Sequence, residues 1–220
     1  MKFQTEIQLI NTLKETLTGS YMKGYVEIFE EVSLGYGIAD IVLSSLTKPR
    51  EKLKSSKFIL NNFDINIYNL IKKNDNISID IIINTTRSSK NEIMKTLEKL
   101  VANKYVKLKG INLLIDKVYE LPFNENFAIE AKLKDWKRAL KQAYRYKWFA
   151  EYSYVVIDAH YSSSAIKNID TFEKYNVGLA TITTNGELKR YYNPKRQQPF
   201  DPKMQILFSE KIKNNYEFAR

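Results

Sequence analysis

The 220-residue sequence contains no cysteine and a single histidine, His160. The first absence excludes a disulfide framework, a thiolate nucleophile and a cysteine-based zinc site. The second leaves one candidate base for Ser-His-Asp chemistry, without a carboxylate–His–Ser spacing around it, and rules out a histidine-rich metal site. Any bound metal must therefore be held mainly by carboxylates, which suits Mg²⁺ or Mn²⁺. Glycine and proline are scarce, at 7 and 5, so collagen-like and low-complexity classes are excluded. No apolar run approaches the roughly 18 residues of a membrane span, and the start, MKFQTEIQLI, lacks a signal-peptide pattern. The expectation is a cytoplasmic protein with no membrane association.

What is present is positive charge and apolar surface. Lys and Arg number 35 against 25 Asp and Glu, a net charge of +10, while apolar residues make up 44% and aromatics 13%. The second pair of figures argues for a folded core. The first suits a polyanionic partner, most often nucleic acid, although a merely basic soluble protein has the same balance.

The apolar pattern divides the chain into three parts. Residues 3–18 read as a helix on the spacing of Phe3, Ile7, Ile10, Leu13 and Leu17, with Gly19 as its stop. Strand-like runs follow at 25–32 and 38–43, joined by a turn at 34–37. Residues 47–57 are polar, basic and contain Pro49, as in a linker. Next come three helical or apolar stretches, 65–73, 77–84 and 88–103, and two short strands, 105–109 and 112–118, with a Lys-Gly turn at 109–110. Helix, helix, helix and a two-stranded wing is the order of a winged helix-turn-helix. After Pro122 the pattern alternates: strand 127–133, helix 135–150, strand 154–157, helix 162–175, strand 177–183, a hairpin into 188–192 and a helix at about 202–216. The predicted class is α/β, with residues 1–43 and 126–220 forming a core and 44–125 an insert.

Chemistry gathers on two strands. Glu130 and Lys132 are two apart, so both leave the same strand face within an apolar run. Asp40 is a carboxylate in the apolar strand 38–43. Charges in such runs are costly unless they pair or bind something. If the two strands are neighbours, Asp40 and Glu130 repel, and a divalent cation would relieve the repulsion. Glu6 falls within the apolar stripe of the first helix, where it either reaches a partner, such as the same cation, or bends out to solvent.

Asp40 followed by Glu130-Ala131-Lys132 resembles the pattern of the PD-(D/E)xK nuclease superfamily. A Glu on the first helix, as Glu6, and Gln-x-x-x-Tyr on the helix after the ExK strand, here Gln142 to Tyr146, are similar to further features of that superfamily. The resemblance covers roughly residues 1–43 and 126–160. Ala39 stands where proline is usual, and the long gap between Asp40 and Glu130 requires a separately folded insert. The resemblance implies a restriction-endonuclease-like mixed sheet flanked by helices. It implies that Asp40, Glu130 and the Ala131 carbonyl hold Mg²⁺ (or Mn²⁺). Lys132 would orient or help deprotonate the attacking water, Gln142 would fix water or phosphate, and Glu6 would assist.

The DNA-binding candidates are basic or polar. In the insert they are Arg87, Lys90 and Asn91 at the start of the recognition-type helix, and Lys107 and Lys109 in the wing. In the core they are Lys134 and Arg138, on a segment where cations and aromatics interleave. The expected activity is metal-dependent endonucleolytic cleavage of DNA, most simply duplex DNA, of a restriction, mobile-element or transposon-end type. Double-strand cutting with one site per chain suits a homodimer. Two alternatives stay open: a non-catalytic DNA-binding regulator on a nuclease-like scaffold, and an RNA nuclease. The winged helix could equally dock a protein partner.

Overall fold

The structure, a computed structural model, describes residues 1–213 except 22, 23, 36, 54, 55 and 75. The chain order is α1 (Glu6–Tyr21), β1 (Val26–Ser33), β2 (Ile38–Leu46), α2 (Asn62–Lys73), β3 (Ile77–Ser78), α3 (Ile79–Thr86), α4 (Lys90–Ala102), β4 (Val106–Lys109) and β5 (Asn112–Ile115). It continues with β6 (Phe123–Lys132), α5 (Trp136–Tyr146), β7 (Tyr152–Asp158), α6 (Ser163–Lys167), α7 (Ile169–Tyr175), β8 (Gly178–Ile182), β9 (Leu188–Tyr192) and α8 (Pro202–Lys213). Single 3₁₀ turns lie at Arg50–Lys52 and Ala159–Tyr161. The protein is α/β, with a mixed six-stranded sheet flanked by helices.

Two compact units share the chain. The first comprises Met1–Glu51 and Phe123–Pro202, the second Lys52–Pro122 and the segment from Lys203. This differs from the expected split at 44 and 126. Residues 44–46 and 123–125, expected in the insert, continue β2 and β6 of the sheet. Buried Ser44 donates its hydroxyl to Asn126 Oδ1 at 2.6 Å between β2 and β6, and Asn126 N–H donates to Glu151. Paired polar groups of this kind are tolerated inside a core. The final helix, expected in the core, belongs to the second unit. The turn at 34–37 includes residue 36, and the helix at 202–216 includes 214–216; these positions lie outside the described residues.

In the first unit the sheet order is β1-β2-β6-β7-β8-β9, parallel only across β6-β7-β8. Parallel neighbours need crossovers, supplied by α5 and by the α6–α7 pair. One sheet face packs on α1, through Leu9, Leu13 and Leu17 against Ile41, Leu43, Ile129, Ala131 and Val156. Helix α1 begins later than expected and runs through Gly19. Its buried stripe is Leu9-Leu13-Leu17 at steps of four, and Ile7 is 70% exposed. Alternation sends the residues between, Asp40 and Glu130 among them, to the opposite face.

The second unit joins α2, α3, α4 and α8 to a small sheet of order β3-β5-β4. Expected helix 77–84 is in fact a two-residue strand followed by α3, because Ile77 pairs with Leu113 and Ser78 caps the helix. Three of these helices have side-chain caps at their entries: a full capping box of Asn61 and Asp64 on α2, Ser78 on α3 and Ser89 on α4. The core gathers Ile65, Tyr68, Ile82, Ile93, Leu100 and Val106 with Ile206 of α8.

Candidate active site

The β2–β6 ladder is antiparallel, with Ile41 opposite Ile129, and the same register carries Asp40 opposite Glu130. Beyond that last pair the next ladder donor goes to a side chain: the Ala131 N–H donates to Asp40 Oδ2 at 2.7 Å. In an antiparallel pair a residue's N–H and C=O leave toward the same neighbour, so the Ala131 carbonyl points to the Asp40 side. Lys132 closes β6. Its Nζ donates to Glu6 Oε2 at 2.9 Å and lies 3.2 Å from Glu130 Oε1. Glu6, in the first turn of α1, thus reaches a partner past the end of the sheet. The structure therefore assembles Asp40, Glu130, Ala131, Lys132 and Glu6.

Burial sets the electrostatics. Glu130 is 1% exposed, and its pKa is pushed up to about 7, first by loss of solvent and then by the Asp40 charge. Hydrogen bonding from Tyr146 and the Lys132 charge oppose that rise. Burial likewise raises Asp40, against the pull of the Ala131 N–H and Lys132. For Lys132, burial works against the charge. Hydrogen bonding to Glu6 and the charges of Glu130 and Asp40 outweigh it, so its pKa is raised. A lysine in that state is a fixed cation at neutral pH and a poor general base. This favours orientation and charge stabilisation over deprotonation of water.

Two residues of the site carried no role in the sequence reading. Tyr146, the second member of the Gln-x-x-x-Tyr pattern, sets its hydroxyl against both Glu130 Oε2 and the Ile38 carbonyl, 2.5 Å away. A phenol has one hydrogen. When Glu130 is protonated it can donate to the phenol oxygen while the phenol donates to Ile38. When Glu130 is ionised, the phenol hydrogen serves the carboxylate. Burial and then the Glu130 charge push the Tyr146 pKa far up, keeping it a neutral donor. The signal was available: Tyr146 follows Gln142 by one helical turn. Glu31, opposite Asp40 in the β1–β2 register, adds a further charge that raises Asp40. It has φ 50°, uncommon for a non-glycine residue, and no pattern in the sequence announces it.

Gln142 is on α5, but its Oε1 is buried without a hydrogen-bond partner among the described residues. Lys134 and Arg138 are exposed near the start of α5, with Asp135 capping that helix through the Arg138 N–H. The other five candidates belong to the second unit. Arg87 ends α3 in the left-handed region, Lys90 and Asn91 open α4, and Lys107 and Lys109 lie on β4; all are exposed. Lys107 pairs with Asp116 at 2.9 Å.

Among the described residues, no three His, Cys, Asp or Glu side chains gather as a metal-binding group. The donor set that fits a hard cation is two carboxylates, Asp40 and Glu130, with a backbone oxygen. Mutual repulsion and the elevated Glu130 pKa are what a divalent charge would offset. No described helix is long and apolar enough to cross a membrane. No family model, curated protein or solved structure matches the chain.

Proposed function

We propose that this protein is a metal-dependent DNA endonuclease with a PD-(D/E)xK core in its first unit and a winged-helix module in its second. The observation that carries the reading is the convergence of Asp40, Glu130 and Lys132 at the start of β2 and the end of β6, with Glu6 on the lysine and Tyr146 on the glutamate. A cross-strand ion pair on a solvated surface would leave Glu130 exposed, whereas here it is buried.

The roles follow from the chemistry of each group. Asp40, Glu130 and the Ala131 carbonyl would hold Mg²⁺ or Mn²⁺. Such an ion, when bound, lowers the pKa of a coordinated water and offsets charge on the scissile phosphate. Lys132 stays protonated and supplies a positive hydrogen-bond donor for that phosphate or for the attacking water. Glu6 fixes the lysine, and Tyr146 fixes Glu130 and holds its proton when no cation is present.

In the second unit, the order α2-β3-α3-α4-β4-β5 supports the winged-helix reading. Its candidate recognition helix α4 begins with exposed Lys90 and Asn91. Because Lys107 is shared with Asp116, Lys109 is the stronger phosphate candidate in the wing.

Supercoiled, linear and single-stranded DNA and an RNA of matched sequence, each with Mg²⁺, Mn²⁺ or EDTA, test the reading. Metal-dependent cutting that is abolished in Asp40→Ala, Glu130→Ala and Lys132→Ala is expected. Duplex binding without cutting under every metal condition would instead identify a non-catalytic regulator. Cutting confined to RNA would identify an RNA nuclease.

A further inference from the structure

Besides the site carboxylates, the described residues of the first unit bury the charged side chains of Lys147, Glu151 and Asp158, and Asp158 is the one that holds the N-terminal segment. This residue closes β7 and is 1% exposed. One carboxylate oxygen accepts the Phe3 N–H at 3.0 Å, and the other accepts the His160 N–H at 2.9 Å. It therefore ties the N-terminal segment and the turn Ala159–Tyr161 to one point. Carboxylate hydrogen bonds from two backbone amides are strong and directional. The consequence is a fixed location for the side chains on either side, Lys2 and Tyr161.

Lys134 arrives there from the other direction, two residues beyond Lys132. Its Nζ lies 4.3 Å from the centre of the Tyr161 ring, and Lys2 Nζ lies 5.9 Å from the same ring. Among the described residues neither ammonium meets a carboxylate, and both lysines are exposed. Like charges gathered on one ring repel each other. The ring attracts each of them, and an anion bound by both would remove the repulsion.

Backbone connections put this pair beside the candidate active site. Lys132 is paired with Ile157, the residue before Asp158. Phe3, bonded to Asp158, precedes by three residues the Glu6 that holds Lys132. All these groups therefore lie at the carboxyl ends of β6 and β7, where ligands of α/β sheets tend to bind.

We propose that Lys2 and Lys134, held on Tyr161, form a phosphate clamp that grips the nucleic-acid backbone next to the scissile phosphate, with Asp158 as its positioning residue. The substrate class, and the scissile phosphate, rest on the nuclease reading above. The clamp reads charge and spacing. It contacts no base edge, so it serves any sequence.

The test is binding without cleavage. Fluorescence anisotropy in EDTA would follow a labelled short duplex, and the single strand of the same sequence, across a salt series. Losing both lysines in Lys2→Ala/Lys134→Ala should reduce the magnitude of the log-log salt slope by about 1.8 on duplex and about 1.4 on single strand, from 0.9 and 0.7 per contact. Lys2→Arg/Lys134→Arg should retain the wild-type slope. Tyr161→Phe keeps the ring and should bind as wild type, whereas Tyr161→Ala should bind less tightly. Asp158→Asn removes no cation and should still weaken binding, because one amide loses its acceptor. An unchanged affinity and slope in the double alanine variant overturns the clamp, whatever the cleavage assay shows. A clamp-dependent slope in a wild type that cuts under no metal condition upholds the clamp and overturns the nuclease reading.

Discussion

At the scale of single residues, the candidate site is held by a proton as much as by charge. Glu130 has a folded-state pKa of about 7, against the usual 4.5. The folded protein therefore binds its proton more tightly than the unfolded chain, and the Glu130 contribution to stability changes sign accordingly. Stability falls as pH rises from about 4.5 to about 7, and the penalty is fully present above that range. Asp40 and Glu27 are raised too and act in the same direction. Glu130→Gln should flatten this slope and raise the melting temperature at about pH 8, where the wild-type carboxylate is ionised. Added Mg²⁺ binds the ionised form, so the melting shift it produces should grow from about pH 6 to about pH 8 in wild type and vanish in the variant. A metal-induced shift that persists in Glu130→Gln would remove Glu130 from the ligand set.

Tyr146→Phe isolates the other half of the same hydrogen bond. It leaves the ionised Glu130, or the Ile38 carbonyl when Glu130 is protonated, short of a donor, at a cost of about 1–3 kcal/mol. The tyrosine bond lowers the Glu130 pKa, so its loss should raise that pKa further. The pH–rate profile for cleavage should then move to higher pH. Denaturant melts and pH–rate profiles of the one variant measure both effects. An unmoved profile would show that Tyr146 only packs. Gln142→Ala offers a contrast: its Oε1 has no partner to lose among the described residues, so the melt should change little while cleavage reports any bond to water or phosphate.

At the scale of elements, the sequence disclosed periodicity and concealed partners. Asp40, Glu130 and Lys132 were legible because charge in an apolar strand is costly, and the structure supplies the partners that cost demands. The exposure of Ile7 and the burial of Leu9 were not legible, since both fit a helical stripe and only the docking angle of α1 decides between them. Ser44 was assigned to the insert and Asn126 to the core because their pairing lies 82 residues apart in sequence. Glu31 was hidden for a related reason, its environment being made by the neighbouring strand.

The helices of the second unit give a prediction at this scale. Asp64 is 1% exposed and performs three tasks: it accepts the Asn61 N–H at 3.0 Å, the Thr96 hydroxyl at 2.8 Å and the Lys99 ammonium at 2.7 Å. It closes the capping box of α2 and ties that helix to α4. Asp64→Ala should therefore cost about 2–5 kcal/mol, from about 0.5–2 for the lost cap and about 1–3 for the buried Thr96 hydroxyl left without its acceptor. Thr96→Val should cost about 1–3 kcal/mol, leaving one carboxylate oxygen without its hydroxyl donor. Chemical denaturation of the two variants checks the order. Equal, small effects would mean that the carboxylate is hydrated rather than shared.

At the scale of the whole molecule, α8 is the element whose destination the sequence did not show. Its amphipathic pattern fits the end of any α/β domain, and nothing in it names the unit it joins. The deciding residue is Glu210, 1% exposed, whose carboxylate accepts the Leu60 N–H at 2.8 Å, the Ser56 hydroxyl at 2.8 Å and the Tyr119 hydroxyl at 2.5 Å. Ile206 of the same helix enters the core of that unit. A fragment of residues 57–117 contains the three helices and the hairpin but loses every one of these bonds. Hydrogen bonds to a charged group contribute about 1.5–3 kcal/mol each, which rivals the whole stability of a small domain. The excised 57–117 fragment should accordingly melt with low cooperativity. A single chain joining 52–122 through a Gly/Ser linker to 203–213 should unfold cooperatively, and Glu210→Ala should return it to the behaviour of the short fragment. Calorimetry and circular dichroism of the three proteins decide the matter. If the short fragment melts as sharply and as high as the joined chain, α8 is an accessory and the second unit is complete without it.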